Sequence, residues 1–215
     1  MIGHRIRGAA SGRHNGSVTD QLFLSIWLSR HARPERLRYF EKLLRGFPFS
    51  QREQPQSSVT IQAVSSTEPP LLERPMNGPL HLDAVIPIFR DYQGDDVAYM
   101  VDAWWDLWQF DRDWVLRPAR VALSCFGPEF ESGTERLERE QEDLRVDFGV
   151  DSSFLPNDDI PGSAKLIESN IKSLLRLVHE LEQTLPVEAR RLETESGENF
   201  ADRLARMLTA TGDVQ

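Results

Sequence analysis

Alternation of apolar and polar residues marks five segments of the chain as strands. Short runs of this kind occupy residues 21–28, 59–63 and 144–150. Two longer runs, at 97–110 and 114–126, are separated by only three polar residues. A period of two is typical of half-buried strands, and so short a connection predicts a long β-hairpin.

Apolar residues repeat every three or four positions in four other segments, which is the pattern of an amphipathic helix. The approximate limits of these predicted helices are 34–45, 83–92, 164–183 and 198–208. Residues 65–80 contain four prolines and a glycine, and they predict a long, ordered loop.

The order of these elements predicts an α+β fold. We expect a largely antiparallel, twisted sheet of about five strands, with helices packed on one face and a C-terminal helical pair. Residues 1–20 are expected to form a disordered tail, residues 21–160 an α+β core domain, and residues 161–215 the C-terminal helices packed on that core. In the hairpin, the odd-numbered side chains, among them Val101, Trp105, Val115 and Val121, are predicted to face the core.

Charge is distributed unevenly along the 215 residues. The net charge is −9, yet residues 1–50 carry nine Lys and Arg against three acids, which is +6 and leaves −15 for the remainder. An acidic body repels phosphates over most of its surface, so nucleic acid is disfavoured as a partner. Neither a long apolar run nor a signal-peptide pattern is present, and we expect a soluble, cytoplasmic protein with no membrane partner.

The sequence contains no recognisable cofactor or metal motif. Cys125 is the only cysteine, which excludes a disulfide framework and a multi-thiolate metal site within one chain. Its apolar neighbours indicate a buried, unreactive thiol, and a nucleophilic cysteine is the alternative. The histidine spacings match no metal site and the glycine pattern matches no nucleotide-binding loop, so no metal and no cofactor is predicted.

One face of the predicted hairpin carries alternating acids and tryptophans. Asp102, Trp104, Asp106 and Trp108 share this face, and a three-residue turn places Trp104 opposite Arg120. Indole rings stack on sugars and cations while carboxylates hold polar groups, so the face is a candidate ligand platform. The alternative is a second buried face, in which a helix covers the tryptophans and Arg120 pairs with Asp106 or stacks on Trp104.

Strand geometry limits the chemistry of this face. Residues four apart on a strand are separated by about 13 Å, whereas the carboxylate pair of a glycosidase needs about 5–9.5 Å. Asp102 and Asp106 cannot form such a pair by themselves.

A basic stripe lies along one face of the first predicted helix. Arg38, Lys42 and Arg45 are spaced by four and three residues, which places them on one face, opposite Phe40 and Leu44. The stripe is a candidate contact for an acidic partner or for phosphates, and an ordinary solvated helix face is the alternative.

No catalytic signature is present, and whether the protein is an enzyme stays open. We predict a non-enzymatic binding or protein-interaction module that contacts a protein partner or a second copy of itself. The alternative is a small-ligand or carbohydrate-acting protein that uses the face of Asp102, Trp104, Asp106 and Trp108.

Overall fold

The computed structural model describes residues 20–52, 56–132, 141–157 and 159–212, so the predicted tail at 1–20 lies outside it except for Asp20. The strands are β1 (Gln21–Leu28), β2 (Ser57–Ala63), β3 (Leu72–Met76), β4 (Val97–Phe110), β5 (Trp114–Phe126), β6 (Leu144–Val150) and β7 (Val187–Thr194). The α-helices are α1 (Arg36–Gly46), α2 (Leu82–Asp91), α3 (Ser163–Thr184) and α4 (Phe200–Gly212). Two short 3-10 helices span Arg33–Glu35 and Asp151–Phe154.

The strands of the described chain form one sheet in the order β3-β2-β4-β5-β6-β1-β7, and each neighbouring pair is antiparallel. This confirms the prediction of a mixed fold with an antiparallel sheet. The hairpin of β4 and β5 is its longest pairing and ends at the predicted residues. The expected number of about five strands is wrong, because the sheet has seven.

The two missed strands, β3 and β7, lie at the two edges of the sheet. β3 falls inside residues 65–80, which the prolines marked as a loop; its Pro75 is compatible with an edge strand, where one side of the backbone has no ladder partner. β7 separates α3 from α4, and four of its eight residues are exposed, three of them charged: Glu188, Arg190 and Arg191. Edge strands bury few side chains, so their hydrophobic alternation is weak.

The odd-numbered side chains of β4 face the hydrophobic core. Trp105 is 4% exposed, and its ring centroid lies 5.8 Å from that of Phe148, 5.8 Å from that of Phe47 and 6.2 Å from that of Phe154. The same cluster includes buried residues of α1, α2 and α3. The predicted core face is therefore confirmed for most of β4 and for the second half of β5.

Val115 departs from this pattern because it is 38% exposed. β6 pairs with β5 only from Ala122 to Cys125, and β2 pairs with β4 only from Val97 to Asp102. The far half of the hairpin therefore extends past both neighbouring strands, so alternation at its tip no longer corresponds to burial.

Asn170 of α3 forms hydrogen bonds with the backbone of β4 beyond the end of its pairing with β2. Its side-chain amide accepts a hydrogen bond from the Trp108 backbone N–H at 2.9 Å and donates to the Trp108 carbonyl at 2.9 Å and the Ser153 carbonyl at 2.8 Å. Asn170 is 2% exposed. Because buried backbone groups need partners, this side chain satisfies the Trp108 backbone groups at the edge of β4, beyond the end of its pairing with β2.

Candidate functional site

The basic stripe of α1 lines an open groove of about 830 Å³. The helix forms one wall, and the end of α2 with the connection to β4 forms the other, which contributes Arg90 and Asp95. The helical stripe and the groove result from the same packing, because α1 buries Phe40, Leu43 and Leu44 and so turns its charged face outward.

Five cationic side chains and three carboxylates line the groove. The cations are Arg36, Arg38, Lys42, Arg45 and Arg90, and the carboxylates are Glu35, Glu41 and Asp95. The groove thus has an excess of two positive charges in a chain whose net charge is −9. The three stripe residues predicted from the sequence lie together on it.

Glu41 is the most strongly held carboxylate of the groove. Its two oxygens accept hydrogen bonds from Arg45 of α1 at 3.2 Å and from Arg90 of α2 at 2.9 Å. Burial alone would raise the pKa of Glu41, but the hydrogen bonds from Arg90 and Arg45 outweigh it and hold the pKa below its usual range. Arg45 also contacts Asp83 at 3.2 Å, so it bridges the two helices.

The outer cations of the stripe are held differently. Arg38 pairs with Glu35 at 2.6 Å, one turn earlier in the chain. The Lys42 ammonium lies 5.1 Å from the centroid of the Tyr39 ring and has no carboxylate partner within the described residues. Lys42 is therefore the cation of the groove that is most available to a ligand from outside.

Arg36 and Tyr99 form the inner part of the groove. The Arg36 side chain is 12% exposed and donates to the Gly94 carbonyl at 2.9 Å and to Asp95 at 3.1 Å. The Tyr99 hydroxyl donates to the Tyr92 carbonyl, and burial raises the pKa of Tyr99 to about 12. Tyr99 therefore stays protonated at neutral pH and supplies no base.

The second candidate site, on the outer face of the hairpin, has the register predicted from its turn: Trp104 lies opposite Arg120, and Trp108 opposite Leu116. Arg120 pairs with Asp102, its Nε at 3.0 Å and its Nη2 at 2.7 Å from one carboxylate oxygen. Pairing with Asp106, which was one of the two options for Arg120 in the buried-face alternative, is not what the structure has. Both acids are diagonal neighbours of Arg120, and the strand twist brings one diagonal pair closer than the other.

Asp106 is held by residues that precede β2. It accepts a hydrogen bond from the Ser50 hydroxyl at 2.7 Å and another from Arg52 at 3.2 Å. Ser50 is positioned by its own backbone N–H, which donates to the Trp104 carbonyl at 2.7 Å. The two acids of the outer face are thus each neutralised by an arginine of this chain.

Trp104 and Trp108 are each half-buried on the outer face. Their side chains are therefore neither fully exposed, as an open ligand platform would have them, nor fully buried under a helix. The described residues provide no hydrogen-bond acceptor for either indole N–H. Trp114 differs, because its indole N–H donates to the Pro161 carbonyl at 2.8 Å. Two aromatic rings and two indole donors therefore remain on this face beside two neutralised acids.

The Cys125 thiol is buried, as predicted, and this burial raises its pKa to about 12, so it is not a nucleophile at neutral pH. The described residues contain no group of three or more His, Cys, Asp or Glu that could hold a metal ion. The acids near either site are bound to arginines.

Sequence reasoning identified the stripe but missed Arg36, Arg90 and Tyr99. Arg90 and Glu41 are 49 positions apart, and only the packing of α2 on α1 brings them together. Asn170 was missed as well, because an Asn inside a helix has no periodic signature, although a polar residue among Ile167, Ile171 and Leu174 was a usable signal.

Comparisons with protein families, curated proteins and solved structures found no match. No helix within the described ranges is long and apolar enough to cross a membrane.

Proposed function

We propose that this protein is a non-enzymatic interaction module and that the groove between α1 and α2 is its contact surface for a partner protein. One observation carries the proposal: five cationic side chains and three carboxylates line one open groove of about 830 Å³, an excess of two positive charges in a chain of net charge −9. A positive groove on an acidic protein attracts and orients an acidic partner while the remaining surface repels it.

A protein partner fits this charge distribution better than nucleic acid does. Binding of a phosphate backbone requires a long positive surface, and single-stranded binders add exposed aromatic rings on which bases stack. Here Tyr39 lies against Lys42, and the Tyr99 hydroxyl is engaged by a backbone carbonyl. A second copy of this chain is the other protein that could occupy the groove.

A pull-down from extract of the native host, with the full chain as bait, tests the proposal. A double charge reversal, Arg38→Glu with Lys42→Glu, removes the positive character of the groove. Its matched control is Lys172→Glu with Arg176→Glu on α3, where both side chains are more than 70% exposed and the change in charge is the same.

We expect one partner protein to be retained by the unmodified chain and by the α3 control and to be lost from the groove variant. Equal retention by all three baits, or no retention by any, contradicts the proposal. Light scattering on the same samples measures self-association: a dimer that the groove variant alone abolishes would identify the partner as a second copy.

A second candidate function is the binding of a neutral polar ligand such as a carbohydrate on the outer face. It rests on the half-exposed rings of Trp104 and Trp108 and on their indole N–H groups, which have no acceptor among the described residues. The neighbouring acids are already neutralised by Arg52 and Arg120. Titration with neutral oligosaccharides should change the tryptophan fluorescence, and Trp104→Phe should remove that change. An unchanged spectrum across the series argues against this function.

A further inference from the structure

The environment of Glu41 shows how the groove accommodates a carboxylate. Arg45 from α1 and Arg90 from α2 each donate to a different oxygen of Glu41, so one carboxylate is held between two helices. Arginine is well suited to this role because its planar donors match the two carboxylate oxygens.

The remaining groove has both the charge and the space for further carboxylates. Each of the three acids that line it is bonded to at least one of its arginines, and the lining cations outnumber the lining carboxylates by two. Arg45 also contacts Asp83, which lies outside the lining. Lys42 is the cation with no carboxylate among the described residues. The pair of Arg38 with Glu35 is solvent-exposed on both sides, and exposed pairs of this kind contribute little to stability. A carboxylate from outside can therefore replace Glu35 at small cost.

We infer that the ligand of this groove is a short run of Asp and Glu residues in a partner protein, bound by Lys42, Arg38 and the cations behind them. This inference rests on the proposed function and names the chemistry of the partner. The 11 residues of α1 form a wall of about 16 Å, which matches about five residues of extended peptide at 3.3 Å each.

Fluorescence anisotropy with labelled peptides tests this inference on the full chain. The probe is a peptide of about six glutamates, chosen to exceed the length of the groove slightly, and its neutral control is the glutamine peptide of equal length. Inorganic phosphate serves as a competitor, and a labelled single-stranded oligonucleotide represents the nucleic-acid alternative.

We expect the glutamate peptide to bind and the glutamine peptide not to bind. Raising the salt from about 0.05 M to about 0.3 M should weaken binding roughly tenfold, since exposed charges are screened. Lys42→Glu should weaken binding by a similar factor, because the new carboxylate lies within one turn of Arg38 and Arg45 and competes with the peptide. Lys172→Glu should leave binding unchanged.

Arg90→Gln supplies a second variant, in case Lys42→Glu alters the fold; it removes a groove cation from α2 and should also weaken binding. Equal binding of the glutamate and glutamine peptides overturns the inference, as does tighter binding of the oligonucleotide or displacement of the peptide by an equal concentration of phosphate. If the glutamate peptide does not bind but the groove variant still loses its partner in the pull-down, the inference is wrong and the proposed function stands. If the peptide does not bind and the pull-down retains no partner that depends on the groove, the inference and the proposed function are both wrong.

Discussion

Replacement of Asn170 by alanine should destabilise the protein more than the replacement of any other polar residue discussed here. The change removes one acceptor and two donors and leaves the Trp108 N–H, the Trp108 carbonyl and the Ser153 carbonyl without their partner. Asn170 is 2% exposed, so water has little access to replace it.

The magnitude follows from the groups left unpaired. A buried polar group that loses its hydrogen bond costs about 1–3 kcal/mol, and the N–H of Trp108 should cost more than the two carbonyls, which keep a second lone pair. We expect a total loss of about 3 kcal/mol. For a protein of this size, about 3 kcal/mol lowers Tm by roughly 6–12 °C.

Urea unfolding followed by circular dichroism measures this loss directly. The midpoint should fall with an unchanged slope, since the same surface is exposed on unfolding. Ser173→Ala, on the exposed side of the same helix, is the matched control and should be near neutral. Asn170→Asp should be at least as harmful as alanine, because it places a carboxylate against two carbonyl oxygens. A loss of less than about 1 kcal/mol for Asn170→Ala would refute the reasoning and show that water satisfies the edge of β4.

Two further substitutions test the core and a close backbone approach, each by denaturant unfolding. Trp105→Ala should cost about 3–5 kcal/mol as a core deletion, and clearly more than Trp104→Ala on the opposite face; a loss below about 1 kcal/mol would mean that the faces of β4 are reversed. Gly127→Ala should cost about 1–3 kcal/mol or more, because an added Cβ would lie 2.1 Å from the Asp95 carbonyl oxygen. Gly46→Ala, where an added Cβ meets nothing within 4 Å, is its control, and equal stability of the two variants would contradict the predicted clash.

The strands in the middle of the sheet were predictable because one of their faces is buried. β1, β4, β5 and β6 end at or within a residue of the limits that alternation predicted, and a three-residue turn set the hairpin register. Burial of one face imposes the period of two on the sequence. Where burial stops, as at Val115, the same alternation predicted a core position wrongly.

The edge strands and the groove were not predictable from local pattern. β3 and β7 bury little apolar surface, so nothing in their sequences distinguished them from polar loops. The stripe of Arg38, Lys42 and Arg45 followed from helical spacing, but the groove needs Arg90, which the fold brings from another helix. Arg120 pairs with Asp102 rather than with Asp106. Which of the two diagonal neighbours lies closer likewise depends on strand twist, which could not be predicted from the sequence.

The most direct test of the interaction surface is a nuclear magnetic resonance titration of the isotope-labelled full chain with the glutamate peptide. The account predicts that amide signals of α1, of the end of α2 and of Asp95 shift with a common affinity, while the indole N–H signals of Trp104 and Trp108 stay in place. Shifts confined to the indole signals and the hairpin, or no shifts at all, would contradict the claim that the groove between α1 and α2 is the binding surface.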